Sequence, residues 1–188
     1  MVTAALLIAA VGTACVGGAV FAFSLFVMPA LNRLSPAESI RAMQSINLRA
    51  ERAPFGLVIL APFFAAVGLA IAAVVSPSPA SPFVLTGAAL YVLVGLGVTG
   101  AVNVPLNNRL ARVGQQQPGK QQRSRQFGQQ QPSQQEPSQQ QPGQQQPGDL
   151  DASTWAAFER PWVRANHVRS AGALLASACF TAAALLAR

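Results

Sequence analysis

The sequence predicts an all-α, polytopic membrane fold: a four-helix bundle with an amphipathic cytoplasmic helix and a disordered Gln/Pro-rich insertion. Three observations predict it. Hydrophobic residues make up 51% of the 188 residues and charged residues only 10%. Setting aside residues 115–148, a Gln/Pro/Gly tract with Phe127 as its one apolar residue, raises the apolar share further, above the ~45–50% of soluble domains. The charges also fall in blocks, with none in residues 1–32, 53–108 or 170–187. A helix needs about 20 mostly apolar residues to cross a bilayer core, and these blocks supply that length. A soluble enzyme is excluded on composition, since so few charges cannot cover so much apolar surface.

The first block gives a span over residues 3–27. It lacks a positive n-region, and its apolar stretch is too long for a signal peptide, so the helix is expected to be retained. The second block is broken by Pro77, Pro79 and Pro82, which cannot continue a helix and mark a hairpin between spans 55–75 and 83–103. The fourth span covers residues 162–186, with Arg164 and Arg169 in its first turns. Small residues at Ala10, Ala14, Gly18 and Ala22, at Gly95 and Thr99, and at Gly172, Ala176 and Ala184 favour close helix packing.

Of the 13 cations, all but Arg188 lie at one membrane face: Arg33, Arg41, Arg49 and Arg52 in one loop, and those from Arg109 to Arg169 around the other. The positive-inside rule makes that face cytoplasmic, with both termini outside, in a cell inner or plasma membrane. The net charge of +7 then needs no nucleic-acid partner; the expected partner is the lipid bilayer, with weaker attraction to anionic head groups. The oligomeric state is not legible.

Between the first two spans, Ser35, Pro36 and Glu38 form a capping box, followed by Ile40, Met43, Ile46 and Ala50 at helical spacing. This predicts an amphipathic helix under the bundle, ending near Pro54. The other loop holds the low-complexity tract, in which Gln-Gln-Gln-Pro recurs at 115–118, 129–132, 139–142 and 144–147. It cannot bury enough apolar area to offset its ordering entropy, so it reads as a disordered insertion. Order resumes near Asp149. Asp151 or Ser153 can cap a helix in which Pro161 bends or restarts the chain.

On that helix Trp155, Trp162, Asn166 and Arg169 fall on one stripe, with Glu159 near it and His167 pointing away. Tryptophans collect at membrane interfaces without further function. Asn166 and Arg169 enter a span, where polar groups face protein or a water-filled cavity. Asn103 and Asn107 flank Pro105 one turn apart, where amides can cap a freed carbonyl or contact a ligand. Asn47, Asn103, Asn107, Asn166 and Arg169 all map to the cytoplasmic end, which suggests a pocket. Arg169 is expected to pair with Asn103 or Asn107.

One His and two Cys cannot build a closed metal centre, so neither metal nor cofactor is expected. Cys15 and Cys179 read as buried free thiols. No acid lies within a span, which weakens a proton-coupled transporter.

Four stretches carry a family resemblance: Val27 to Leu31, Ala42 to Asn47, Asn103 to Leu110, and Trp155 with Trp162 to Arg169. In this order, with four spans between them, they resemble the anthrone-oxygenase-like integral membrane family. The resemblance covers nearly the whole chain except 114–148. It implies a small four-span protein and, in some relatives, oxidation of an anthrone to an anthraquinone with molecular oxygen as co-substrate. Many relatives carry His at the position of Asn166; here the histidine stands one place later, at His167.

The residues allow such chemistry without a cofactor. Arg169 and the asparagine amides are expected to stabilise a substrate anion, His167 or Glu159 to take the proton, and Trp155 and Trp162 to stack an aromatic ring. The alternative is a non-catalytic membrane protein that binds a lipid or hydrophobic small molecule, or scaffolds a partner.

Overall fold

A computed structural model of the protein describes residues 2–50, 55–114 and 150–187, without side chains for 55–59. The expected disordered insertion at 115–148 lies outside the described residues, as do Arg52, Pro54 and Arg188. Among the described residues every regular element is helical: α1 (Val2–Leu31), α2 (Pro36–Ala50), α3 (Phe55–Val75), α4 (Ser81–Arg112) and α5 (Ala152–Leu186). The protein is an all-α membrane protein. α1, α4 and α5 are each long and apolar enough to cross a membrane, and Leu60–Val75 of α3 adds a shorter apolar helix.

α1 and α5 pack antiparallel along a small-residue seam. Ser170 Oγ donates to Gly17 O and Ser177 Oγ to Ala10 O, both at 2.8 Å. These bonds join positions seven apart on each helix, a coiled-coil repeat. The buried line on α1 is Leu6, Ala10, Thr13, Gly17, Val20 and Ser24. The predicted line through Ala14, Gly18 and Ala22 is therefore rotated from the true contact. A Cβ on Gly18 would touch nothing within 4 Å, whereas one on Gly17 would meet Leu174 and Ala173 at 3.0–3.2 Å. An alanine-rich helix offers several equivalent small faces, and the serine hydroxyls of α5 select among them. The seam also leaves Cys15 exposed on the outer face and Cys179 half-buried, both free.

α4 runs antiparallel to α5 through two further glycines. Gly87 lies under Cys179 and Phe180, and Gly172 under Val94 and Leu90. α3 packs on α1 where Pro62 meets Gly12. The turn into α4 is closed by Ser81, whose hydroxyl accepts from Ser78 N at 2.9 Å and donates to Ala73 O at 3.2 Å. Ile8, Phe26, Phe64, Ile71 and Leu93 project outward, as lipid-facing residues should.

α4 and α5 are longer than the predicted spans. At about 1.5 Å per residue, helices of 32 and 35 residues exceed the ~30 Å hydrocarbon core, so their basic ends extend beyond it. Pro161 lies inside α5 without ending it, so the helix does not restart there. Asp151 caps α5, its Oδ1 accepting from Thr154 N at 2.7 Å and Ser153 Oγ at 2.8 Å. These bonds hold its carboxyl below the ordinary range.

α2 lies across this same end. Glu38 Oε2 accepts from Ser35 N at 3.0 Å and from Ser35 Oγ at 2.6 Å, so the predicted box closes through the carboxylate. Ser39 Oγ reaches back to Leu31 O at 2.7 Å. Gln44 Nε2 donates to Leu110 O and Val113 O at the end of α4. Ile40 and Met43 then fill a second core with Met28, Leu31, Leu110, Trp155, Phe158 and Trp162.

Candidate functional site

Three π-helical turns position the polar side chains between α1, α4 and α5. They cover Phe23–Val27 in α1 and Leu90–Leu96 and Thr99–Asn103 in α4. A π turn adds a residue per turn and rotates the face that follows, a device frequent at functional sites. Ser24, Thr99 and Asn103 all lie in such turns and all point inward.

Asn166 is the hub. It is 0% exposed, and its Nδ2 donates to Val20 O at 2.7 Å and Ser24 Oγ at 2.6 Å. Its Oδ1 accepts from Arg169 Nε at 2.7 Å. Arg169 Nη1 donates to Thr99 Oγ1 at 3.2 Å, and the Thr99 hydroxyl donates to Gly95 O at 2.7 Å. The guanidinium carbon stands 5.7 Å from the Trp162 ring centroid, within cation–π range. The partners expected for Arg169, Asn103 and Asn107, are thus replaced by Asn166 and Thr99. The reason is registry: the π turn brings Thr99 level with Arg169 and leaves the asparagines level with Trp162.

Trp162 is held on all sides. Its Nε1 donates to Asn107 Oδ1 at 3.0 Å, Phe23 lies against it at 5.4 Å between centroids, and Phe158 at 6.2 Å. Asn103 Nδ2 makes only a long 3.4 Å contact to Trp162 O. Its Oδ1 is buried with no partner, a costly condition in an apolar interior.

Trp155 Nε1 donates to Asn32 Oδ1 at 2.8 Å, and Asn32 Nδ2 donates to Glu159 Oε1 at 3.3 Å. Trp155 therefore ties the end of α1 to α5, about two turns before Trp162 and four before Arg169.

The structure brings together Asn103, Asn107, Trp162, Asn166 and Arg169. It does not bring His167 to them. That side chain is exposed on the opposite face of α5, with its ring 6.5 Å from Phe21. Asn47, on α2, makes no hydrogen bond to the cluster, and its buried Nδ2 has no partner. Sequence reasoning missed Ser24, Asn32 and Phe23. Ser24 could have been found as an isolated hydroxyl near the basic end of an apolar span; Asn32 carried no such signal. Among the described residues, no group of three His, Cys, Asp or Glu side chains could hold a metal ion.

One end of this all-α membrane protein thus holds a guanidinium fixed by two side-chain acceptors beside an indole face. The family model described as anthrone oxygenase matches residues 51–179, and the chain belongs to that family. No curated protein matches the chain, and no solved structure does.

Proposed function

We propose that the chain is a four-span membrane oxygenase that oxidises a small anthrone-like aromatic at the cytoplasmic end of the bundle, using molecular oxygen and no other cofactor. The observation that carries this reading is Arg169, held rigidly by Asn166 and Thr99 against Trp162. An acidic ring C–H loses its proton, and the resulting carbanion is delocalised onto the ring oxygen. Arg169 stabilises that oxyanion with charge-assisted hydrogen bonds. A C–O bond then forms with dioxygen, and loss of water from the hydroperoxide leaves a carbonyl: one CH2 and one O2 become one C=O and one H2O. Trp162 supplies a ring face for the aromatic. Two titratable groups of α5 are the candidate proton acceptors: Glu159, two turns before His167, and His167 itself, which would have to act from the outer face of the helix.

The topology belongs to the same proposal. Arg33, Arg41, Arg49, Arg109, Arg112, Arg160 and Arg164 gather where α1 and α4 end and α5 begins, which supports a cytoplasmic face there and termini outside.

The test is oxygen uptake with anthrone by purified protein, beside thermal stability in detergent. Arg169→Lys keeps the charge but loses the planar fork. It is expected to lower turnover about 10- to 100-fold, the worth of one charged hydrogen bond, with a smaller loss of stability. Equal loss of both, or no uptake by the parent protein with ring binding retained, favours the non-catalytic binder. His167→Ala and Glu159→Gln identify the base by which one abolishes uptake.

A further inference from the structure

At the basic end of the molecule, a cavity of about 230 Å³ opens between the last turns of α4 and the first turns of α5. Leu106, Leu110, Ala157 and Phe158 form its apolar walls, and Arg109 and Thr154 its polar side. Leu110 and Phe158 are buried and belong to the lower core, whereas Arg109 and Ala157 are exposed. The cavity therefore has a closed apolar floor and an open, charged mouth.

We propose that this cavity binds one anionic phospholipid, the phosphate on Arg109 and a stretch of acyl chain along Leu106, Leu110 and Phe158. Three observations select that occupant. First, the cavity lies where α4 passes from uncharged residues to Arg109 and Arg112 in its last turn, which is head-group depth for a helix of this length. Second, the charge is unbalanced. No hydrogen bond or ion pair engages Arg109 among the described residues, Arg112 and Arg160 are exposed on the same two helices, and the nearby carboxylates are occupied, Asp151 by the start of α5 and Glu159 by Asn32. Third, the volume is below the ~300–1,000 Å³ of sites that enclose a whole small molecule. The walls are also too apolar for phosphate alone. A ligand with a charged head outside and a chain segment inside fits both limits. The site is separate from the Arg169 cluster, so it stands or falls independently of the oxygenase reading.

The test is native mass spectrometry of the full chain released from detergent, offered phosphatidylglycerol and phosphatidylcholine of equal chain length, with glycerol phosphate as the head-group-only arm. One phosphatidylglycerol is expected to be retained about fivefold over phosphatidylcholine, the value of roughly 1 kcal/mol per cation at the surface. Glycerol phosphate is expected not to be retained. Arg109→Gln should abolish the preference, while Arg160→Gln, outside the cavity, should keep most of it. Ala157→Trp fills the cavity and should remove the retained lipid of either kind. A preference unchanged in Arg109→Gln overturns the proposal, as does equal retention of glycerol phosphate. Should Ala157→Trp fail to fold, the two arginine variants still decide the question.

Discussion

Two buried asparagines, Asn103 and Asn166, should respond to the same substitution with opposite signs. Asn166→Leu removes three short bonds, to Val20 O, to Ser24 Oγ and from Arg169 Nε. Two neutral bonds at about 1 kcal/mol each and one charged bond at about 1.5–3 kcal/mol give a loss of about 3–5 kcal/mol. The Arg169 Nε is also left without its acceptor in a half-buried position. Asn103→Leu removes only the 3.4 Å contact to Trp162 O, which is worth little at that length. It also removes an acceptor that is buried and unpaired, whose desolvation costs about 1–3 kcal/mol. Leucine has nearly the same branched shape, so the packing can stay. The expected shift is between no change and about 2 kcal/mol of stabilisation. At about 2–4 °C per kcal/mol for a chain of this size, thermal unfolding in detergent should fall by about 10 °C for Asn166→Leu. It should hold or rise by up to about 8 °C for Asn103→Leu. Oxygen uptake with anthrone should fall in both. On the proposed oxygenase reading, Asn103 is kept at a cost to stability because it serves the ligand. A fall in melting temperature for Asn103→Leu as large as that of Asn166→Leu would refute the argument, because Oδ1 would then have a structural partner.

Gly172→Ala places a Cβ 2.7 Å from Val94 Cγ1 and 2.9 Å from Val94 Cβ; since valine is stiff at χ1, a loss of about 1–3 kcal/mol is expected. The double variant with Val94→Ala should recover most of it, and Gly18→Ala, with open space around it, should be neutral; detergent melting curves read all three. Glu38 lies below its ordinary pKa of 4.5, held there by the Ser35 hydroxyl, then the Ser35 N–H. A depressed carboxylate pKa means that the stabilising contribution is present above the ordinary value and is lost as pH falls through the folded value. Glu38→Gln should therefore flatten the fall in melting temperature below pH 4.5, and an unchanged slope would assign that fall to other carboxylates.

The helices and the candidate end of the bundle were legible in the chain because bilayer chemistry is one-dimensional. A charge-free block long enough to cross lipid must be helical, and prolines between blocks must interrupt it. The capping residues Glu38 and Asp151 were legible for a similar reason, since each acts within one turn of its own backbone. The stripe of Trp155, Trp162, Asn166 and Arg169 on α5 was also correct, as was the outward direction of His167. α5 has no π turn, so a uniform helical angle holds along it.

Prediction failed where the angle or the partner depended on another helix. The π turns at Phe23–Val27 and Thr99–Asn103 shift the register of α1 and α4, so Thr99 and Ser24, rather than Asn103 or Asn107, meet the Asn166–Arg169 pair. The small face of α1 was misplaced because alanine at many positions leaves the rotation of the helix undetermined. By itself the sequence determined an all-α membrane protein, the basic face and the residues rich enough in chemistry to form a site. Only the tertiary structure decided which faces meet, that Arg169 is pinned by Asn166 and Thr99, and that Asn103 keeps an unused acceptor. Apolar length and charge are properties of single segments. Rotation and registry arise from the fit of side chains between helices, and no one segment encodes them.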